Sequence, residues 1–208
     1  GFPQTELDMA LRLVEVAAAH GANAVKFQCF SSSPVYVEGA GPSSYLGHSE
    51  DINDIFRKIA FPPELLCEVV HYAGDFGIEF MASVFSVQDA EFVDPHVKRH
   101  KIASYELGHE ELIRYVAKKG KSLILSTGAA EMDEIVSAVD WALAEGLKPE
   151  EITILHCVAA YPAEHDDLNL SAMCDIKREI GVSVGYSDHS MDPLIGPLGA
   201  VALGAEII

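Results

Sequence analysis

Apolar positions along this chain switch repeatedly between a spacing of three to four and a spacing of two or an unbroken run, and the order of those switches carries the fold. Leu7, Ala10, Leu11, Val14, Ala17 and Ala18 share one helical face over about 5–20, with Gly21 as the stop. A strand at 24–30 follows, then a long loop rich in Ser, Gly and Pro over 31–61. Pro62-Pro63 opens a helix to about residue 76, and 78–85 reads as the next strand. Helices at 87–93, 110–119, 132–144, 171–180 and 194–202 then alternate with strands at 101–104, 122–126, 152–158 and 183–186, and 205–208 begins a further strand as a stub. Unbroken βα alternation calls for parallel strands with right-handed crossovers, either open with helices on both faces or closed as a barrel. No Gly-x-Gly-x-x-Gly follows any strand, so the expected fold is α/β, a TIM (β/α)8 barrel.

A closed barrel needs eight strands and about 250 residues, whereas this chain opens on a helix and shows six full strands and a stub. The expectation is one partial barrel domain over 1–208, cut at both ends. Its two sheet edges would lack partners, which predicts poor solubility or strands borrowed from a neighbour.

Composition narrows the function classes. The 208 residues are 49% hydrophobic and 22% charged, which excludes disorder. Fourteen Lys and Arg against 32 Asp and Glu give a formal charge of −18, so no nucleic-acid partner is expected. The apolar stretch 194–203 is broken by Gly and Pro and falls short of the roughly 20 residues of a membrane span. The amino end has neither the basic start nor the apolar run of a signal peptide. Cys29, Cys67, Cys157 and Cys174 lie far apart without Cys-x-x-Cys spacing, which reads as a reduced, cytoplasmic protein.

Barrel ligands meet the carboxyl ends of strands, so polar residues there are the candidates for chemistry. In Ala-Val-Lys-Phe-Gln-Cys, Lys26 and Gln28 share one face and Val25, Phe27 and Cys29 the other, which places Lys26 and Gln28 inside; a surface lysine at a frayed strand end is the alternative. Lys101, Ser104 and Glu106 lie close in sequence but on different parities. They reach one pocket only if the strand bends or ends near Ser104; otherwise they line a solvated loop. Ser126-Thr127-Gly128 combines hydroxyls with a Gly, a set that holds an anion or simply makes a turn. Ser183, Gly185, Ser187 and His189 share a face without a bulky apolar group. His189 reads as a metal ligand or as a satisfied structural histidine, and His156-Cys157 as part of a soft-metal site or, without further ligands, as a packed strand end. His96, His109 and His165 lie in polar connections and read as solvated. Two lysines with several hydroxyls describe a pocket for a small anion, phosphate first, inside an acidic protein.

Ala-Val-Lys-Phe-Gln, Lys-Ile-Ala-Ser-Tyr-Glu, Ile-Leu-Ser-Thr-Gly, Leu-His-Cys-Val-Ala-Ala-Tyr-Pro and Gly-Tyr-Ser-Asp-His-Ser occur in that order across essentially the whole chain. This set resembles the sialic acid synthase family, which includes legionaminate and pseudaminate synthases and spore-coat polysaccharide relatives. The resemblance implies condensation of phosphoenolpyruvate with an N-acylated aldose, N-acetylmannosamine or a diacetamido sugar, with release of phosphate. It implies a divalent metal, Mn2+ first and Mg2+ or Co2+ as alternatives, and a homodimer in the full-length form. It assigns Lys26, Ser83, Lys101, Ser104, Ser126 and Ser187 to phosphoenolpyruvate, Gln28, Glu106, Tyr161 and Asp188 to the sugar and catalysis, and His189 to the metal.

Departures set expectations too. The family's opening strand, a second metal His expected just after Ile208 and the carboxyl-terminal antifreeze-like domain are absent, so this segment alone is expected to bind metal weakly and to be inactive. Ala159 stands where many relatives carry Asn or Ser, and Ala-Ser-Val-Phe at 82–85 replaces the commoner Ser-Thr-Pro-Phe. Ala-Ser-Tyr-Glu leans toward pseudaminate synthases, while His156-Cys157 and Tyr186 lean toward neuraminate synthases. Two competing readings are another phosphoenolpyruvate-using barrel synthase and a noncatalytic remnant barrel.

Overall fold

The computed structural model describes residues 4–30, 36–42, 50–60 and 63–208; parts of the expected long loop, and the Pro62 start of the helix after it, lie outside these. The chain divides into two units, Gly1–Lys98 and Arg99–Ile208.

In the first unit, the stripe Leu7, Ala10, Leu11, Val14, Ala17, Ala18 is the protected face of α1 (Gln4–Ala19), with Val14 fully buried. Gly21, at φ 80°, ends it: its N–H bonds Ala18 O, and Ala22 N–H reaches back to Ala17 O, a left-handed stop that a Cβ would strain. Parallel strands β1 (Ala24–Cys29) and β2 (Glu79–Val84) pair from Ala24↔Glu79 to Cys29↔Val84. Between them lie α2 (Ile52–Ile59) and α3 (Pro63–Asp75), and α4 (Val87–Val93) follows β2.

Helix α2 corrects the sequence reading, which had loop throughout 31–61. Asp51 caps it, its carboxylate accepting the N–H groups of Asn53 and Gly41, each at 2.9 Å. Phe56 packs edge-on against Phe30 and Tyr36, and Phe30 against Phe85, with ring centroids 5.2 to 5.8 Å apart. Phe30 and Phe85 immediately follow β1 and β2, so tertiary aromatic contacts anchor a helix of eight residues that is too short to show its period among Gly, Ser and Pro.

The second unit alternates β3 (Arg99–Ile102), α5 (Glu110–Ala117), β4 (Ser122–Ser126), α6 (Met132–Ala144), β5 (Ile152–Cys157), α7 (Ala172–Ile180), β6 (Ser183–Ser187) and α8 (Ile195–Ala202). Its strands are parallel and adjacent in chain order. Ile102, Leu125, Ile154 and Val184 lie in one register row and are 0 to 1% exposed. Leu112, Ile113, Val116, Ile135, Val139, Met173 and Ile176 of α5, α6 and α7 are buried as well. Full burial of each large aliphatic side chain contributes about 1.5–3 kcal/mol, which explains why these strands read as near-continuous apolar runs. The stub beyond α8 lies along β6: Glu206 N–H donates to Val184 O at 2.8 Å and Tyr186 N–H to Ile207 O at 2.9 Å. Among the described residues, no helix is long and apolar enough to cross a membrane.

Candidate functional site

Register places the candidate residues of the second unit. Lys101 pairs with Ile124, Ser126 with Leu155, and Leu155 with Gly185, while Cys157 pairs with Ser187 one pleat further on. In-register partners face the same side, so Lys101, Ser126, Cys157 and Ser187 share one face of the ladder. His156 and Tyr186, also in register, take the other.

Lys101 is 5% exposed, and its Nζ donates to Ser126 Oγ at 2.6 Å and to Ile102 O at 2.7 Å. An ammonium held beside a hydroxyl at a strand end has the chemistry to take an anion. The parity conflict among Lys101, Ser104 and Glu106 is resolved because β3 ends at Ile102 and a three-residue 3-10 turn runs over Ser104–Glu106. That turn brings Ser104 Oγ to accept Gly128 N–H at 3.0 Å, while Glu106 pairs with His109 Nδ1 at 3.0 Å. A Cβ on Gly128 would lie 3.0 Å from Ser104 Oγ and 3.3 Å from both Cys157 Sγ and Ala159 Cβ, so a side chain here would need these neighbours to give by a few tenths of an ångström.

His189 follows β6. Its Nδ1 lies 2.8 Å from Val158 O, an acceptor only, so in the neutral imidazole Nδ1 carries the proton and Nε2 the lone pair. That arrangement suits a metal-binding imidazole, whose second nitrogen ordinarily donates to a carbonyl or carboxylate. Among the described residues, no group of three or more His, Cys, Asp or Glu assembles that could hold a metal ion, so His189 fits as a single donor. The Tyr161 ring lies against the imidazole, centroids 4.1 Å apart. Cys157 Sγ is 3.7 Å from His189 Nδ1. Burial works against ionisation of this thiol, but hydrogen bonds with His189, Ser104 and Ser187 outweigh it and lower its pKa. The same contact with Cys157 raises the His189 pKa against its partial burial. Asp188 is turned to its own loop: Oδ1 accepts Tyr186 Oη–H and Ser190 N–H, and Oδ2 accepts Ser190 Oγ–H.

In the first unit, Lys26 and Gln28 share one face of β1 as expected, but that face is exposed rather than inside, next to Met81 and to the buried Ser83 across the ladder. Lys26 keeps accessible surface, yet the density of protein around its ammonium lowers its pKa by desolvation.

Several expectations need correction. His109 is half-buried and paired with Glu106, and His96 is half-buried with Nε2 3.9 Å from Cys67 Sγ, so neither is simply solvated; His165 is exposed as expected. The face through Ser183 and Gly185 is not open. Ser183 Oγ donates to Glu206, and a Cβ on Gly185 would fall 2.3 Å from Ile207 O. His156 is packed as expected, stacked on Tyr186 and bonded to Leu168 O. Cys157 is not merely packed: the sequence reading missed its contact with His189, although the strand's period of two separates it from His156 and aligns it with Ser187.

Comparison with known proteins fits this geometry. The NeuB family model matches residues 13–208. The spore coat polysaccharide biosynthesis protein SpsE of Bacillus subtilis is 34% identical over 98% of this chain and 55% of its own length. The N,N'-diacetyllegionaminic acid synthase of Campylobacter jejuni is 33% identical over 98% of this chain and 62% of its own length. The chain thus spans little more than half the length of these curated relatives. The crystal structure of the N-acetylneuraminic acid (sialic acid) synthetase of Leptospira borgpetersenii, in complex with citrate, superposes with a TM-score of 0.87 at 32% identity, covering 98% of this chain and 67% of that one. On the strength of these matches, the chain belongs to the NeuB family.

Proposed function

We propose that this chain is the greater part of a (β/α)8 barrel that condenses phosphoenolpyruvate with an N-acylated aldose to give a nonulosonic acid and free phosphate. The observation that carries the reading is the Lys101 ammonium, buried and bonded to Ser126 Oγ on the same strand-end face as Cys157 and Ser187. In a protein of formal charge −18, a buried cation set among hydroxyls is a local anion site.

Lys101 and Ser126 anchor the phosphate, with Ser104 and Ser187 beside them. The family resemblance assigns Lys26 and Ser83 to the same substrate, and Gln28, Glu106 and Tyr161 to the sugar. His189 Nε2 would hold part of a divalent ion, Mn2+ first, which when bound would supply Lewis-acid polarisation of the aldehyde. Val158 O fixes the His189 tautomer and Tyr161 covers the ring, so the imidazole presents one lone pair in one direction. In the reaction, the enol π pair bonds C3 to the aldehyde carbon as the aldehyde oxygen takes a proton, water adds at C2 with loss of a proton, and the C2 bond to the phosphate oxygen then breaks as the new C2 hydroxyl gives up its proton, releasing phosphate and leaving a ketone. Lys101 offsets the charge on the departing phosphate.

The test is phosphate release from phosphoenolpyruvate by the reading frame extended to its relatives' length, with Mn2+, across acylated and phosphorylated aldoses. Release with N-acetylmannosamine or a diacetamido sugar, lost in His189→Ala, supports the proposal. Release only with an unacylated, phosphorylated aldose makes it a different barrel synthase, and no Mn2+-dependent release with any sugar overturns the catalytic reading.

A further inference from the structure

Tyr186 is the largest fully buried side chain of the described residues, at 1% exposure. Phe or Leu would fill such a position without a polar atom to satisfy, so the hydroxyl calls for its own explanation. It donates to Asp188 Oδ1 at 3.0 Å. The same oxygen accepts Ser190 N–H at 2.9 Å, and Oδ2 accepts Ser190 Oγ–H at 3.0 Å. The two neighbours of His189 are therefore tied together across it, and the tie is anchored to the core through the phenol.

The surroundings hold that anchor still. The Tyr186 ring stacks on His156, centroids 6.0 Å apart and 27° from parallel, and His156 Nε2 is fixed 2.8 Å from Leu168 O. From the other side α8 closes in at Gly196, where a Cβ would sit 3.1 Å from Tyr186 Cε1 and 3.2 Å from Asp188 Oδ2. His189 itself is gripped at two further points: its carbonyl accepts Ala163 N–H at 3.0 Å, and its Nδ1–H reaches Val158 O.

We propose that Tyr186, acting through Asp188, is a positioning residue that sets the direction in which His189 presents Nε2, and that Asp188 is a brace rather than a contact to the sugar. Its consequence for metal affinity rests on the proposed role of His189; its consequence for the imidazole does not. In Tyr186→Phe the core stays filled while the brace loses its anchor. Gly196→Ala pushes on the same pair from α8.

The experiment uses the reading frame extended to its relatives' length, with 15N-labelled histidine. The slowly exchanging Nδ1–H proton of His189, assigned by its loss in His189→Ala, reports the bond to Val158 O. Mn2+ affinity is read from the paramagnetic resonance signal of the free ion. Tyr186→Phe is expected to speed Nδ1–H exchange severalfold and to weaken Mn2+ binding roughly 10-fold, the lower end for partners behind a metal ligand. Gly196→Ala is expected to change both readouts in the same direction. The double variant Tyr186→Phe/Asp188→Ala is expected to be no weaker than Asp188→Ala, because both act through one contact. Val139→Ala on α6, which costs stability elsewhere in the core, is expected to leave both readouts unchanged. Wild-type exchange and Mn2+ affinity in Tyr186→Phe would overturn the inference, as would equal losses in Val139→Ala. Faster exchange in Tyr186→Phe without His189-dependent Mn2+ binding in the wild type would support the positioning role while overturning the metal-binding role of His189.

Discussion

Replacing Lys101 by Met separates what this residue does for the fold from what it does for a ligand. The substitution keeps the unbranched side chain and removes the ammonium with its hydrogen bonds to Ser126 Oγ and Ile102 O. Bonds involving a charged partner contribute about 1.5–3 kcal/mol each, but a 5%-exposed charge carries a desolvation cost that is also several kcal/mol. The two nearly cancel, so stability should change by about 1 kcal/mol, or less than about 4 °C in Tm for a chain of this size. Ligand binding has no such offset. Removing a buried cation from a phosphate should cost about 2–4 kcal/mol, roughly 30- to 1,000-fold in the Kd of phosphoenolpyruvate. Calorimetric titration beside a thermal melt reads both. A variant that binds phosphoenolpyruvate within threefold of wild type would refute the anchor, and one that melts more than 10 °C lower would make Lys101 chiefly structural.

Gly128→Ala forces a Cβ against Ser104 Oγ and Cys157 Sγ, which should cost about 1–3 kcal/mol of overpacking and show in a melt as a lowered Tm; an unchanged Tm would mean that the loop gives way freely. Burial, with the nearby Asp89 carboxylate, pushes the Cys29 thiol up to about 12, so iodoacetamide at pH 8 should label exposed Cys174 and spare Cys29 in peptide mass spectra; comparable labelling would contradict the burial. Desolvation lowers the Lys26 pKa, so the unfolded chain holds that proton more tightly and stability rises with pH from the lowered value toward the ordinary lysine value of 10.5. Lys26→Met should therefore be more stable than wild type near neutral pH, with the gap narrowing as pH rises; a gap that widens would reverse the sign of the effect.

Where a long, strong period met a matching environment, the sequence was readable. The stripe from Leu7 to Ala18 marks the protected face of α1, because burial alone decides those positions, whereas the β1 face that carries Lys26 and Gln28, expected inside, is exposed. Failures arise where contacts distant in sequence decide. Helix α2 depends on Phe30 and Phe85, 26 and 29 residues from Phe56 as 56 − 30 and 85 − 56, and on Asp51 reaching Gly41. The place of Ser104 depends on β3 stopping at Ile102, a boundary that no local propensity marks. Gly185 seemed to open a ligand face until Ile207, 22 residues on (207 − 185), packed against it. Lys101 and Ser126 could be chosen as candidates from residue type and strand-end position; only the register puts them 2.6 Å apart.

The role proposed for the Lys101–Ser126 pair is in carbon–carbon bond formation with loss of phosphate by C–O cleavage. Phosphoenolpyruvate carrying 18O in its bridging position tests this most directly, with N-acetylmannosamine or a diacetamido sugar, Mn2+ and the extended reading frame. Released phosphate is expected to carry the label, and its appearance to depend on the sugar. Unlabelled phosphate, or phosphate released equally without sugar, would contradict it.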